Sequence, residues 1–131
     1  MKNILFLCSG GGGNMKFIFE YEKLFYPEFQ IQGVIADRNC GALEFAINNG
    51  VNNHLIKYDR SKKADRNMRS IINNYNPDII ITNLHKIISP SLLKSFGNKF
   101  INLHYSFLPA YAGLIGMRAV DIALNNNSKF I

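Results

Sequence analysis

The stretch NILFLCSGGGGNM, residues 3–15, passes from an uninterrupted apolar run into four consecutive glycines. An apolar run of this length that ends in glycine is typical of a strand buried on both faces of a parallel sheet. Asn14 follows as the predicted N-cap of a helix over 14–25. A strand, a glycine turn and a helix in this order predict the first unit of an α/β fold.

The rest of the chain repeats this alternation. Strands are predicted over 31–37, 53–58, 78–82 and 99–104, and helices over 41–50, 63–75, 90–97 and 116–126. Pro90 suits the first turn of its helix, while Gly50 and Gly97 end theirs. The alternation predicts one α/β domain over 1–131, with a Rossmann-like parallel sheet and helices on both faces.

Composition narrows the class of protein. The chain has 131 residues, of which 47% are apolar, and no apolar run approaches the 18 residues of a membrane span. Cys8 and Cys40 lie far apart without metal-ligand spacing, which predicts packing residues in a reducing, cytoplasmic compartment and no metal site. We therefore expect neither a membrane partner nor a disulfide framework.

The net charge of +6 is dispersed along the chain. A nucleic-acid-binding protein would concentrate its charge in a stripe with interleaved aromatic residues, so we expect no nucleic-acid partner. The densest basic stretch, residues 57–69, also contains Asp59 and Asp65. We interpret it as a solvated helix start, with attraction of an anionic small substrate as the alternative.

The glycine stretch is the first candidate site. In an open α/β sheet, ligands bind beyond the carboxyl ends of the strands. Consecutive glycines expose backbone N–H groups, and the N-terminus of the following helix adds a positive dipole, so a phosphate could bind at Gly11, Gly12, Gly13 and Asn14. Met15 replaces the third glycine of a dinucleotide fingerprint, and no Gly-Lys-Ser/Thr follows, so neither of those motifs is present. A flexible turn is the alternative interpretation.

The last predicted strand carries the second candidate site. Because side chains alternate along a strand, Asn102 and His104 share one face at its carboxyl end. An amide can donate to an oxyanion, and an imidazole can move a proton near neutral pH, which together suit acyl transfer. Structural hydrogen bonding is the alternative. Ser106 lacks the nucleophile elbow and is not a candidate nucleophile.

These residues belong to a longer pattern. The sequence reads N-x-H-x-S-x-L-P-x-Y-x-G from Asn102 to Gly113. This pattern resembles the signature of the formyltransferases that use 10-formyltetrahydrofolate. The loop SGGGGN (9–14) is similar to the S-G-x-G-S-N phosphate loop of the glycinamide ribonucleotide transformylases, and NPDIIITNLHKIISP (76–90) resembles another of their segments.

The resemblance implies a fold, a co-substrate and roles for individual residues. It implies a truncated formyltransferase fold with 10-formyltetrahydrofolate as co-substrate and a small anionic amine as partner. Asn102 would polarise the formyl carbonyl, and His104 would stabilise the same charge and help move protons. The glycine loop would hold the phosphate of the amine. Folate contacts would come from Lys86, Ile87 and Ile88.

The departures from the family pattern concern catalysis and the acceptor. The family's third catalytic group is an aspartate beyond the histidine, and Asp121 does not match its position. We therefore expect an N-terminal part of a longer enzyme, with very low activity on its own. A phosphorylated amine such as glycinamide ribonucleotide is the favoured acceptor. The alternatives are a nucleotide-linked amino sugar for surface polysaccharide, and a non-catalytic anion- or nucleotide-binding module.

Overall fold

The computed structural model describes residues 1–25 and 28–102 of the chain. The predictions for His104, Ser106, Asp121 and the helix over 116–126 lie outside the described residues.

Strands and helices alternate as predicted. In chain order the elements are β1 (Lys2–Cys8), α1 (Gly13–Phe25), β2 (Phe29–Ala36), α2 (Gly41–Asn48), β3 (Asn53–Leu55), α3 (Lys62–Tyr75), β4 (Ile79–Asn83), α4 (Pro90–Phe96) and β5 (Phe100–Asn102). A short 3-10 turn, Gly97–Lys99, joins α4 to β5.

The strands form one parallel sheet in the order β3-β2-β1-β4-β5. Strand β1 is central and pairs with β2 on one side and β4 on the other. Since all strands run in the same direction, their carboxyl ends meet at one edge of the sheet. The chain order reverses between β1 and β4, and this is the place where α/β proteins bind ligands.

Helices cover both faces of the sheet, which confirms the predicted fold class. Leu5 and Leu7 of β1 face a cluster that includes Met68 and Ile72 of α3 and Leu92 of α4. The alternate residues of β1 face the opposite cluster with α1 and α2, whose buried members are Ile4, Phe6, Cys8, Met15, Val34, Ala42 and Ala46. Strand β1 is therefore buried on both faces, as its apolar run predicts.

The helix ends follow the predicted signals except at α1. Pro90 occupies the first turn of α4, Gly97 follows its last turn, and Gly50 has a φ of 68° just beyond α2. Helix α1 begins at Gly13, because the Gly12 carbonyl already accepts the Lys16 N–H at 2.9 Å. Asn14 therefore lies in the first turn of α1, and the prediction that it caps the helix is wrong.

Two further differences arise from pairing between strands. Strand β3 ends at Leu55 rather than residue 58, because its neighbour β2 ends at Ala36 and offers no further partners. The register of β1 against β2 shifts between Ile4 and Leu5, whose partners are Ile31 and Gly33. This bulge adds one residue to β2 and brings Gly33 so close to Tyr75 that a Cβ there would lie 2.8 Å from the Tyr75 hydroxyl.

The described part of the chain contains no helix long and apolar enough to cross a bilayer. Within the same residues, no group of three His, Cys, Asp or Glu side chains could hold a metal ion.

The two cysteines differ in accessibility. Cys8 is 1% exposed inside the cluster of α1 and α2, whereas Cys40 is half-buried at the start of α2. Burial, together with the charges of Cys40 and Asp37, raises the pKa of Cys8 to about 12. The Cys8 thiol therefore stays protonated at physiological pH, as a packing residue should.

We predict that iodoacetamide at pH 8 alkylates Cys40 of the folded protein and leaves Cys8 unmodified. The thiolate is the reactive species, and raising a pKa from 9.0 to about 12 removes about 99.9% of it. Peptide mass spectrometry measures both sites in one sample. In denaturant both cysteines should react, and rapid alkylation of native Cys8 would contradict its burial.

Candidate functional site

Four loops or strand ends meet at the carboxyl edge of the sheet. They are the glycine loop (residues 9–12) after β1, residues 37–40 after β2, the segment 84–89 after β4, and the tip of β5 at Asn102. Their neighbourhood follows from the strand order, since parallel strands deliver the connections that follow them to the same edge.

The glycine loop is held in shape by α2. Gly12 has a φ of 73°, and a Cβ there would lie 2.7 Å from the Ala42 Cβ, so only glycine fits. A Cβ at Gly41 would lie 3.1 Å from the Gly11 Cα, and the Ala42 N–H donates to the Gly10 carbonyl at 3.0 Å. The loop and the start of α2 thus pack backbone against backbone.

The sequence-predicted phosphate residues fall into two groups. A Cβ added at Gly11 or Gly13 would meet no atom within 4 Å, so the backbone there is open to a ligand. Gly12 is the close contact with α2, and Asn14 is half-buried in the first turn of α1. An anion could therefore approach Gly11 and Gly13, with the N-terminus of α1 behind them.

Ser9 connects three of these loops. It is 3% exposed, and its hydroxyl accepts the His85 N–H at 2.9 Å while it donates to the Asp37 carboxylate. The Asp37 side chain is itself only 3% exposed and forms an ion pair with Arg38 at 3.1 Å. One buried hydroxyl thus fixes the ends of β1, β2 and β4 relative to one another.

The electrostatics of Asp37 follow from these contacts. Burial raises the pKa of this carboxyl, but the hydrogen bonds from Arg38 and Ser9 together with the Arg38 charge outweigh burial, so the pKa lies below its ordinary value. Sequence reasoning missed both Ser9 and Asp37. The available signal was a polar residue directly after a buried strand.

The segment 84–89 presents one apolar side chain to solvent. Ile87 is 74% exposed and Lys86 is exposed, whereas Ile88 is 8% exposed within the core cluster of α3 and α4. The His85 ring is close to the glycine loop, since a Cβ at Gly10 would lie 3.9 Å from its Nε2. Two of the three residues predicted to contact folate are therefore on the surface, and the third anchors them.

Asn102 is the last described residue and lies at the carboxyl end of β5, the outermost strand on its side of the sheet among the described residues. It is exposed and pairs with Thr82 of β4, which in turn pairs with Leu7 of β1. Only β4 separates Asn102 from β1, the strand that leads into the glycine loop, so Asn102 lies about 10 Å across the sheet from Leu7 of β1. His104 lies outside the described residues, and its place beside Asn102 stays a prediction.

We predict that Gly12→Ala destabilises the protein by about 2–4 kcal/mol, because it forces both a left-handed φ and a clash with Ala42. Gly11→Ala is the matched control and should change stability by no more than about 0.5 kcal/mol. Urea unfolding followed by circular dichroism measures both. Equal losses for the two variants would show that the contact with α2 does not shape the loop.

The low pKa of Asp37 leads to a second prediction. Its contribution to stability is present above its ordinary pKa of 3.8 and is lost as pH falls through the lower value of the folded state. Asp37→Asn should therefore destabilise the protein at pH 7, and the difference from wild type should shrink below about pH 4. Urea unfolding at both pH values measures it, and a pH-independent difference would contradict an ionised Asp37.

Comparisons with known proteins agree with this geometry. Residues 2–129 match the family model described as Formyl transferase. Phosphoribosylglycinamide formyltransferase of Escherichia coli K12 is 28% identical over 117 residues, which cover 86% of this chain and 55% of that protein. Formyltetrahydrofolate deformylase of the same strain is 38% identical over 68 residues, which cover 51% of this chain and 23% of that protein.

Solved structures share the fold. Phosphoribosylglycinamide formyltransferase from Brucella melitensis superposes with a TM-score of 0.84 at 21% identity, over 98% of this chain and 68% of that chain. Glycinamide ribonucleotide transformylase 1 from Symbiobacterium toebii gives a TM-score of 0.81 at 27% identity, over 98% and 62%. The chain spans about half the length of the curated phosphoribosylglycinamide formyltransferases that it matches. Because the family model covers nearly all of the 131 residues, the chain belongs to the formyl transferase family.

Proposed function

We propose that this chain carries the formyl-transfer machinery of an enzyme that moves a formyl group from 10-formyltetrahydrofolate to a primary amine. The observation that carries the proposal is the placement of Asn102 and the open glycine loop at one edge of the sheet, with a single strand between them. Membership of the formyl transferase family and the Asn102–His104 motif support the same reaction.

The chemistry needs a donor for negative charge and a route for a proton. The amine nitrogen attacks the formyl carbon, and the carbonyl oxygen gains negative charge in the tetrahedral intermediate. The Asn102 amide would donate to that oxygen, and His104 would stabilise it and help to move the proton that the amine releases. The bond from carbon to N10 then breaks, N10 takes up a proton, and the formylated amine and tetrahydrofolate leave.

A phosphorylated amine suits the distance between the two parts of the site. Two strand spacings, about 10 Å, separate β5 from β1, so a phosphate bound beyond the end of β1 would lie about 10 Å or more from Asn102. In glycinamide ribonucleotide, a ribose and its glycinamide arm separate the phosphate from the reacting amine by a comparable length. Two relatives named phosphoribosylglycinamide formyltransferase support this acceptor, at 28% and 23% identity.

Two other acceptors have a specific observation in their favour. Gly13 lacks the hydroxyl of the family's phosphate loop, which weakens the argument for a ribonucleotide monophosphate and keeps a nucleotide-linked amino sugar as an alternative. The local similarity to formyltetrahydrofolate deformylase favours water as the acceptor. Hydrolysis would require no phosphate-binding loop, so the open backbone at Gly11 and Gly13 argues for an amine.

The segment 84–89 is the proposed folate contact. Ile87 is an exposed apolar side chain at the ligand-binding edge, and it would pack against the flat pteridine ring. The backbone of residues 86–88 would supply hydrogen bonds to the polar edge of the ring.

The test uses the natural gene product that contains these residues. Formyl transfer from 10-formyltetrahydrofolate should proceed with glycinamide ribonucleotide, and slowly or not at all with a nucleotide-linked amino sugar or with water. Asn102→Ala should lower kcat by about 100-fold to 1000-fold, because it removes an oxyanion donor. His104→Ala should abolish turnover while the circular dichroism spectrum stays unchanged.

Asn98→Ala is the matched control, since Asn98 is an exposed asparagine in the turn at the opposite end of β5. Its kcat should equal that of wild type. Full activity of Asn102→Ala, or folate binding without any turnover by the wild-type protein, would overturn the proposed reaction. Release of formate without an amine would replace it with hydrolysis.

A further inference from the structure

Asp65 belongs to a buried polar cluster on the face of the sheet that α3 and α4 cover, opposite the face covered by α1 and α2. Asp65 lies in the first turn of α3 and is 8% exposed. The Tyr58 hydroxyl donates to Oδ1 at 2.8 Å, and the Ser89 hydroxyl donates to Oδ2 at 2.7 Å. Asp65 was expected to belong to a solvated helix start, and this part of that interpretation is wrong.

The cluster is closed on itself. The Ser89 N–H donates to the Tyr58 hydroxyl at 3.0 Å, so each of the three residues contacts the other two. The Ser89 hydroxyl also accepts the Leu92 N–H at 3.1 Å and thereby caps α4. Burial raises the pKa of Tyr58, so its hydroxyl keeps its proton and remains a donor at physiological pH.

A buried carboxylate joins α3 to the start of α4 at a large cost in desolvation free energy. Removing a carboxylate from water costs several kcal/mol, and well-packed apolar residues often serve stability equally well. Within residues 1–25 and 28–102 the ion pairs are Lys23–Glu20 and Arg38–Asp37, so no cation there offsets the charge of Asp65. The carboxylate instead provides geometric specificity, because each of its two oxygens accepts a hydrogen bond from one hydroxyl group and fixes the position of that group.

The position that Asp65 fixes is the end of the segment 84–89. This segment is tied at His85 to Ser9 and at Ser89 to Asp65 and Tyr58. Between these two hydrogen-bonded residues, Lys86 and Ile87 are exposed, while the Ile88 side chain is buried in the core. Residues 86–88 therefore lie between two hydrogen-bonded ends, one at His85 and one at Ser89, at the carboxyl edge of the sheet.

We infer that Asp65 is a positioning residue for folate: through Ser89 and Tyr58 it holds the backbone of residues 86–88 in the conformation that binds the pteridine ring. The inference rests on the proposed function, because it assumes that a folate occupies this segment. Asp65 does not touch the ligand. Losing the cluster should weaken folate binding and leave binding of the amine at the glycine loop unchanged.

The experiment compares variants of the natural gene product. Asp65→Asn keeps the size of the side chain and removes one of its two acceptors, and Tyr58→Phe removes one hydroxyl with the least disturbance of packing. The dissociation constant of folic acid, a non-reactive probe, is measured by isothermal titration calorimetry. The KM values for 10-formyltetrahydrofolate and for the amine are measured separately.

We expect both variants to weaken folic acid binding about tenfold and to raise the KM for the folate by a similar factor, since a buried hydrogen bond to a charged group is lost. The KM for the amine should stay within about twofold. Hydrogen exchange of the unliganded variants should show faster exchange within 85–89. This measurement reports the conformation of the segment independently of activity, and the folic acid dissociation constant decides the positioning role.

Arg69→Ala is the matched control. Arg69 also joins α3 to α4, through hydrogen bonds to Ser95 at 2.9 Å and Ser91 at 3.0 Å, and both partners lie outside the segment 84–89. The Arg69→Ala variant should have a lower free energy of unfolding than wild type and an unchanged dissociation constant for folic acid.

The possible outcomes distinguish the positioning role of Asp65 from the proposed folate-dependent formyl transfer. Unchanged folic acid binding in Tyr58→Phe and Asp65→Asn, or an equal loss in Arg69→Ala, would overturn the positioning role while folate-dependent transfer stands. A wild-type protein that neither binds folic acid nor uses 10-formyltetrahydrofolate would overturn both.

Discussion

The burial of β1 on both faces, with a parallel strand hydrogen-bonded to each of its edges, is the constraint on which the rest of the molecule depends. Its alternate side chains serve two separate core clusters, so neither face can shift without disturbing the other. Because β2 and β4 pair with it in fixed register, the three strands end at the same level, and the loops that follow them begin there. The candidate site is a consequence of that alignment.

Aligned strand ends do not by themselves give a defined site, since loops are the least constrained part of a fold. Here the loops are tied to one another by buried polar groups. Ser9 joins the ends of three strands, and the cluster of Asp65, Tyr58 and Ser89 holds the far end of the segment after β4. The exposed residues between these ties, among them Ile87, can then contact a ligand without first having to be ordered.

The glycine loop shows the same division between support and contact. Gly12 is required by the packing of α2, whereas Gly11 and Gly13 leave the backbone open on the outer side. The four consecutive glycines are identical in the sequence, but they have different roles in the structure. The close approach of α2 fixes the shape, and Gly11 and Gly13 are the positions that we propose to offer N–H groups to an anion.

The sequence by itself determined the order of strands and helices, the apolar faces of β1 and α3, and most helix ends, because periodicity, proline and glycine act over a few neighbouring residues. It also determined the family, through the glycine loop and the pattern that begins at Asn102. Only the tertiary structure decided the strand order, the bulge at Gly33 and the burial of Asp37 and Asp65. These depend on contacts between residues far apart in the chain, and a charged residue in a helix start carries no local sign of the hydroxyl groups that will surround it.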